Sequence, residues 1–509
     1  MSSPALKICF FLQRRYALIG NATAYHIKKE FPYAEFCGVV GMRESLKFLK
    51  RQKDVVYTSF VLDEDIHKRY RDEVLDLDYL RTLEKEYGIP NLLPYLHIDR
   101  VLLHEHLIRE YPHDKRLLSH HDLLRVLQVT AKAIISFLDT ERPDVVVISV
   151  VGSTASLLLY HIAKKRGIQT INIEFARIGN RIAYSEDYRN FSWVKERFEE
   201  IRKGSPSSER SSAQKFLEEF RDKPAPYDAD YMQEFYSDRG RFDVLSFLHP
   251  KKLMWSIPWH LRTFINDLAR IRRHDYTDIF IWWALWDKLK RKVRTLIGVS
   301  ALYYVPRSTD RYAYYPLHIE PEIAMMLYAP YYTNQLELIR ASAHALPIDM
   351  LLCVKEHPGM VGYRPRRFYK EMLKTPNVRL IAPGVPSNEL TKHSALTFTI
   401  TSTAGWESLM LKKPVITFGD VYYNDIPGVE RCRGFEELPY LVQKQLTAWK
   451  HDEDTLVAYT SALLEDSVAA DFSDFWNRAE AYETIRDDAG IATLARKLAS
   501  KLRPATSRA

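Results

Sequence analysis

Apolar runs and polar breaks alternate along this chain at the spacing of strands and helices. Leu6–Leu12, Ala34–Val40 and Asp54–Phe60 read as short strands, and Asp144–Val150 (DVVVISV) is apolar at successive positions, as in a strand covered on both faces. A charged helical stretch is expected from Ile66 to Tyr87, an amphipathic helix from Ser119 to Leu138 and another from Ala155 to Arg166, with a strand at Thr170–Phe175. The pattern breaks in the polar stretch Lys203–Pro226 and resumes near Tyr312. There it predicts strands at Tyr312–Leu317, Met350–Val354, Val378–Ile381, Leu396–Ile400 and Val415–Phe418, with helices at Glu322–Ala345, Arg366–Lys374 and Ser387–His393. The stretch Asp452–Leu502 is helical in pattern. Strand–helix alternation occurring twice predicts an α/β protein with two mainly parallel, Rossmann-like sheets. The expected divisions are 1–200, a first Rossmann-like domain; 201–308, a linker and helical insertion; 309–450, a second Rossmann-like domain; and 451–509, a helical tail.

Two polar motifs stand at predicted strand ends in the second domain. Val354-Lys355-Glu356-His357-Pro358-Gly359 follows a strand, so its cation, carboxylate and imidazole emerge at the carboxyl edge, where open α/β sheets bind ligands. Thr401-Ser402-Thr403-Ala404-Gly405 follows another strand and opens a helix on which Trp406, Leu409 and Met410 share one face. A helix beginning at such a turn presents free N–H groups and a positive dipole end, which suits a phosphate. Each motif has a plainer reading, as a solvated loop and an ordinary N-cap. Their equivalent places in one sheet favour a shared anionic ligand. Tyr422, Tyr423 and Asn424 follow a third strand and are expected to stack on a base or sugar, while His318 and Glu320 stand at the domain entry.

Composition narrows the class. At 509 residues, 46% hydrophobic and 27% charged, the chain is long enough for two globular domains. Four cysteines (Cys9, Cys37, Cys353, Cys432) show no CxxC or zinc spacing, as in a reducing compartment, and no metal site is expected. The start MSSPALKICFFLQRR reads as a first strand rather than a signal peptide, and no window is apolar enough to span a membrane, so a cytoplasmic location is expected. There is no G-x-G-x-x-G, Walker A, H-E-x-x-H or G-x-S-x-G sequence. The net charge of +8 is local: residues 250–297 carry eleven Lys/Arg against four acids and five of the nine tryptophans. That mixture is the composition of an interfacial amphipathic helix on an anionic membrane surface. The competing reading is a helical pair packed on the domains with its tryptophans buried. No RNA-binding motif accompanies the aromatics, so nucleic acid is not an expected partner.

Two Rossmann-like domains joined by a crossing segment form the GT-B layout, with a helical insertion and a helical C-terminal tail here, and nucleotide-sugar 2-epimerases share it. Lys355–Pro358, Thr401–Glu407, Lys413–Gly419 with Tyr422–Asn424, and Tyr315–His318 together resemble the bacterial capsule polysaccharide biosynthesis family, whose members include the β-Kdo transferases. The resemblance covers mostly 310–430. It implies a metal-independent glycosyltransferase needing no cofactor, which moves a sugar from a nucleotide-sugar donor, CMP-Kdo or similar, to a growing surface glycan or lipid-linked glycan. It further implies that His357 and Pro358 lie near the donor phosphate, that Ser402 and Thr403 complete its site with Gly405, and that Lys355 adds a charge. Glu407 is either a ribose-binding carboxylate or a first-turn acid favoured by the helix dipole. The activating acid is expected from the first domain, where relatives often show paired acids and Gly; this chain has Ile173-Glu174-Phe175-Ala176-Arg177, so Glu174 is the candidate, with Asp187 behind it. Arg14, Arg15 and Asn21 surround the first strand-to-helix turn and would face the acceptor. Two alternatives share the layout: a nucleotide-sugar epimerase or hydrolase, and a non-catalytic assembly or export partner.

Overall fold

A computed structural model describes residues 6–87, 91–104, 118–225, 281–478 and 482–502, with isolated positions between 254 and 265. Most of the basic segment lies outside the described residues. The first sheet contains β1 (Lys7–Leu12), β2 (Glu35–Val40), β3 (Tyr57–Leu62), β4 (Val145–Ile148), β5 (Gln169–Phe175) and β6 (Arg181–Ser185). The second contains β7 (Tyr312–Pro316), β8 (Leu351–Lys355), β9 (Val378–Ile381), β10 (Leu396–Thr399), β11 (Val415–Thr417) and β12 (Glu430–Arg431). The predicted α/β fold class is what the structure has: two Rossmann-like sheets with helices packed on them and a cavity where the two halves meet.

In the first sheet the order β3-β2-β1-β4-β5 is parallel, and β6 returns antiparallel beside β5. In the second the order β9-β8-β7-β10-β11-β12 is parallel throughout. Each sheet therefore reverses its winding once, between β1 and β4 and between β7 and β10. Such a reversal leaves a crevice at the carboxyl ends of the two strands, because the following connections run to opposite faces. The strands read as near-continuous apolar runs because both faces are covered: Val145–Ile148 and Leu352–Val354 are buried at every position.

The structure divides two of the expected helices. Glu322–Ala345 is two helices, Ile323–Tyr328 and Gln335–His344, because Pro330 cannot continue a helix and Asn334 caps the second through its side chain. Ile66–Tyr87 likewise separates into Asp63–Lys68, a short 3-10 turn and Leu77–Glu86, the last capped by Asp76. The tail is helical but also supplies β13 (Ser467–Ala469), which pairs antiparallel with β6. Its last helix, Ala489–Lys501, packs on the helix Tyr16–Glu30 of the first domain.

Two apolar contacts join the halves. The helix Ile323–Tyr328 presses on the first domain, with Ile323 against Gly152, where a Cβ would stand 2.6 Å from the isoleucine methyl. The helices Ser192–Arg202, Arg210–Asp222 and Glu453–Asp466 share a buried cluster with Trp406, Leu409 and Met410 of the second domain. The tail is thus part of the first domain's core. Leu498→Ala, at a fully buried position, should cost about 2–5 kcal/mol in urea unfolding monitored by circular dichroism.

Candidate functional site

The carboxyl ends of β7, β8 and β10 form one wall of a cavity of about 570 Å³ at the second sheet's winding reversal. After β7 come Leu317, His318 and Ile319; after β8 come Glu356, His357 and Pro358; after β10 come Thr401, Ser402 and Thr403. The first half contributes Arg177, from the β5–β6 hairpin, and Phe220, Pro224 and Ala225, from the end of the helix Arg210–Asp222. Arg177 takes a left-handed backbone conformation (φ 58°), which turns the hairpin there. A smaller cavity of about 240 Å³ adjoins it, sharing Arg177, Phe220, Thr403 and Glu407.

A buried arginine sets the shape of this wall. Arg364 bonds Glu320 through two nitrogens (3.2 and 2.9 Å), the His318 carbonyl and Glu356. Glu356 also accepts from the Tyr369 hydroxyl (2.6 Å) and from the His357 backbone N–H (2.6 Å). One guanidinium therefore ties the loop after β7 to the loop after β8, and its charge is held by two carboxylates. The Gln335 side chain adds a reciprocal pair with the His318 backbone, 2.8 Å to its N–H and 3.2 Å to its carbonyl.

His318 then reaches the third loop. Its Nε2 accepts from the Thr401 backbone N–H at 3.1 Å, which requires the unprotonated nitrogen. Burial and the Arg364 charge hold this imidazole down at about 3, so it stays neutral. Thr401 Oγ1 is buried at the cavity wall without a hydrogen-bond partner. A buried hydroxyl in that state is a poor structural element and a good ligand contact.

The sequence-derived residues divide between cavity and core. Lys355, His357, Pro358, Ser402, Thr403 and Glu407 all line the cavity. Lys355 is buried and donates to Ser387 Oγ at 3.0 Å; desolvation brings its ammonium down to about 8, against the pull of Glu407 and Glu356. Glu407 is pushed up to about 7 by burial, with Lys355 opposing. His357 Nδ1 accepts from the Gly359 N–H at 3.1 Å, which leaves Nε2 as the protonated ring nitrogen of a neutral imidazole. Ser402 caps the helix Thr403–Met410, its Oγ accepting from the Ala404 N–H at 3.1 Å.

Gly405 and Tyr423 do not reach the cavity. Tyr423 is fully buried and its hydroxyl donates to the Ser402 carbonyl at 2.5 Å; Gly405 is the gap it occupies, since a Cβ there would stand 2.3 Å from that hydroxyl. Tyr422 stacks on Phe191, and Asn424 bonds Thr417 and Gly419. This trio braces the turn from beneath instead of stacking on a ligand. Glu174 ends β5, half-buried, outside the cavity lining; burial pushes its carboxyl up to about 8, with Arg177 opposing and Tyr328 beside it. Asp187 is occupied with Lys164 and Arg189. Arg15 and Asn21 turn to the tail, bonding the Trp476 carbonyl (2.8 Å) and the Tyr482 hydroxyl (2.5 Å), while Arg14 lies in the preceding left-handed turn. None of these three lines the cavity, because the tail packs where the acceptor was expected.

Sequence reasoning missed Arg364 and Arg177. Neither belongs to a periodic pattern: Arg364 meets Glu320 across 44 residues, and Arg177 lines a cavity whose facing wall is built from the second sheet's loops.

Residues 305–445 match the family described as capsule polysaccharide biosynthesis protein. The matched segment carries all three cavity-wall loops. Protein FixF of Sinorhizobium fredii (strain NBRC 101917 / NGR234) is 30% identical over 120 residues, which is 22% of this chain and 27% of FixF. The match thus spans about a quarter of that relative's length. Among solved structures, the KpsC β-Kdo 2,7 transferase of Thermosulfurimonas dismutans aligns with 14% identity and TM-score 0.34, over 69% of this chain and 83% of the other. The β-Kdo 2,4 transferase of the same organism aligns with 15% identity and TM-score 0.34, over 63% and 80%. The UDP-GlcNAc 2-epimerase of Methanocaldococcus jannaschii aligns with 12% identity and TM-score 0.26, over 90% and 99%.

Two outcomes are expected from this geometry. Arg364→Met strands two buried carboxylates and should destabilise the fold by about 3–5 kcal/mol in denaturant titration, with Arg364→Lys giving little rescue because a lysine cannot span the same partners. Anion binding should weaken as pH rises from about 6 to about 9, since Glu407 acquires its charge through about 7 and Lys355 loses its charge through about 8. Both changes add negative character beside a bound phosphate. Isothermal titration with a nucleotide should show the loss, and Glu407→Gln should remove its lower-pH part.

Proposed function

We propose that the protein is a glycosyltransferase of GT-B type that binds a nucleotide-activated sugar in the cavity at the β7/β10 reversal and transfers the sugar to a growing capsule or surface polysaccharide. The observation that carries this reading is the convergence there of Lys355, His357, the Ser402-capped helix start and the unpaired Thr401 hydroxyl. As the bond from sugar to nucleotide breaks, negative charge grows on the departing phosphate. A lysine ammonium, an imidazole N–H, a hydroxyl and a helix N-terminus stabilise that charge without having to reorganise. Desolvation strengthens each contact. CMP-Kdo or a similar acid-sugar nucleotide is the proposed donor, and a glycan or lipid-linked glycan the proposed acceptor. The sugar end of the donor would point toward Arg177 and the adjoining cavity of about 240 Å³, leaving that space for the acceptor.

A second reading keeps the donor site and dispenses with the acceptor, as in a nucleotide-sugar epimerase or hydrolase. One observation favours it: among the described residues, no carboxylate of the first domain lines the cavity. Glu174, half-buried at the β5 end with its carboxyl raised by burial, remains the proposed activating acid for transfer.

Thermal melting with CMP, UDP, GDP and ADP tests the site. A CMP-selective rise that His357→Ala and Ser402→Ala abolish is the expected result, with the ligand-free melting temperature kept in His357→Ala and lowered in Ser402→Ala by the lost helix cap. Transfer should fall at least about a hundredfold in those variants. Glu174→Gln should abolish transfer without affecting the melting shift; normal turnover in that variant would remove Glu174 from the mechanism. Donor turnover that proceeds equally with and without a glycan acceptor would instead identify the epimerase or hydrolase.

A further inference from the structure

The helix Ile281–Ile297 has two faces of opposite character. Inward, its single acid, Asp287, is buried and pairs with Arg291 at 2.8 Å; Arg291 bonds the Tyr363 hydroxyl at 3.1 Å, and Arg294 the Tyr363 carbonyl. Outward, Leu285, Trp286, Leu289, Val293 and Leu296 are exposed, with Trp286 and Leu289 at 53% and Leu296 at 62%. At about 100° per residue these five fall within roughly a third of the helix circumference. Lys292 and Lys288 follow on one border of that stripe and Lys290 on the other. Upstream, the described positions Met254, Ile257, Leu261 and Phe264 are also exposed, at helical spacing. Among the described residues no helix is long and apolar enough to cross a membrane.

We propose that this stripe lies in the plane of an anionic lipid bilayer. The apolar side chains enter the acyl boundary and the bordering lysines meet the headgroups, the arrangement of an interfacial helix. The charge pattern selects this occupant: the helix's only acid faces the protein, so the charges that the helix itself places beside the stripe are positive and complement anionic lipid. A nucleic acid would leave the leucines and valine without a partner, and a stripe of this kind offers bases little to stack on. The inward face is bonded to Tyr363, the neighbour of Arg364, so the docked helix fixes how the cavity stands relative to the membrane.

The test is sedimentation of the full chain with vesicles of equal parts phosphatidylglycerol and phosphatidylethanolamine, against vesicles of phosphatidylcholine. Binding to the anionic vesicles that weakens with salt is expected. Leu289→Asp and Leu296→Asp should each reduce it by about tenfold with melting temperatures unchanged, and Lys288→Glu with Lys292→Glu should also reduce it. Unaltered binding by the aspartate variants, or none by the parent, would overturn the proposal. So would a concentration-dependent dimer broken by Leu289→Asp without vesicle binding, or equal capture by single-stranded nucleic acid. Nucleotide-induced melting shifts are read separately, so failure of the surface and failure of the donor site are distinguishable.

Discussion

The burial of the Arg364 guanidinium among two carboxylates and a carbonyl is the constraint on which the site depends. Removing a charge from water is costly, and only close, multiply bonded partners offset that cost. The side chain is fully buried, so its partners must stay where they are. Glu320 and Glu356 stand on loops following different strands, and fixing them fixes His318 and His357 beside them. His318 in turn accepts from Thr401, so three loops separated by up to about eighty residues share one hydrogen-bonded frame. A frame of this kind holds the cavity-lining side chains in one arrangement, which lowers the ordering cost of any binding there.

Beneath that frame lies a second, apolar support. Tyr423 occupies the space left by Gly405 and holds the Ser402 carbonyl, so the helix start cannot sink into the core. Trp406, Leu409 and Met410 anchor the same helix against the helices of the first half. The polar frame and the apolar brace act on opposite sides of one turn. Lys355 and Glu407 are left desolvated between them, with their charged forms weakened by burial and mutually supported.

The tail completes the first domain rather than trailing from it. β13 extends the sheet, the helix Ala489–Lys501 packs on the helix Tyr16–Glu30, and Tyr482 and the Trp476 carbonyl take the hydrogen bonds of Asn21 and Arg15. The expectation that these residues face an acceptor fails for this reason. From the sequence, Gln13–Gly20 is an open strand-to-helix turn; only the return of the tail fills the space above it. Tyr423 fails as a ligand contact for a similar reason, since a tyrosine at a strand end is equally suited to a cleft or a core until its neighbours are known.

The information legible in the residues before folding is local and periodic. Two rounds of strand–helix alternation imply two parallel sheets, apolar strand runs imply covered faces, and polar motifs at strand ends imply a carboxyl-edge site. Lys355, His357, Pro358, Ser402, Thr403 and Glu407 were legible because each lies within a few residues of the strand or helix end that positions it. Only the packing of whole elements settles which side chains became supports and which reach the cavity. Arg364 meets Glu320 across 44 residues, and Arg177 reaches the cavity from the other domain. No pattern of spacing records such meetings, because they are set by how whole elements pack.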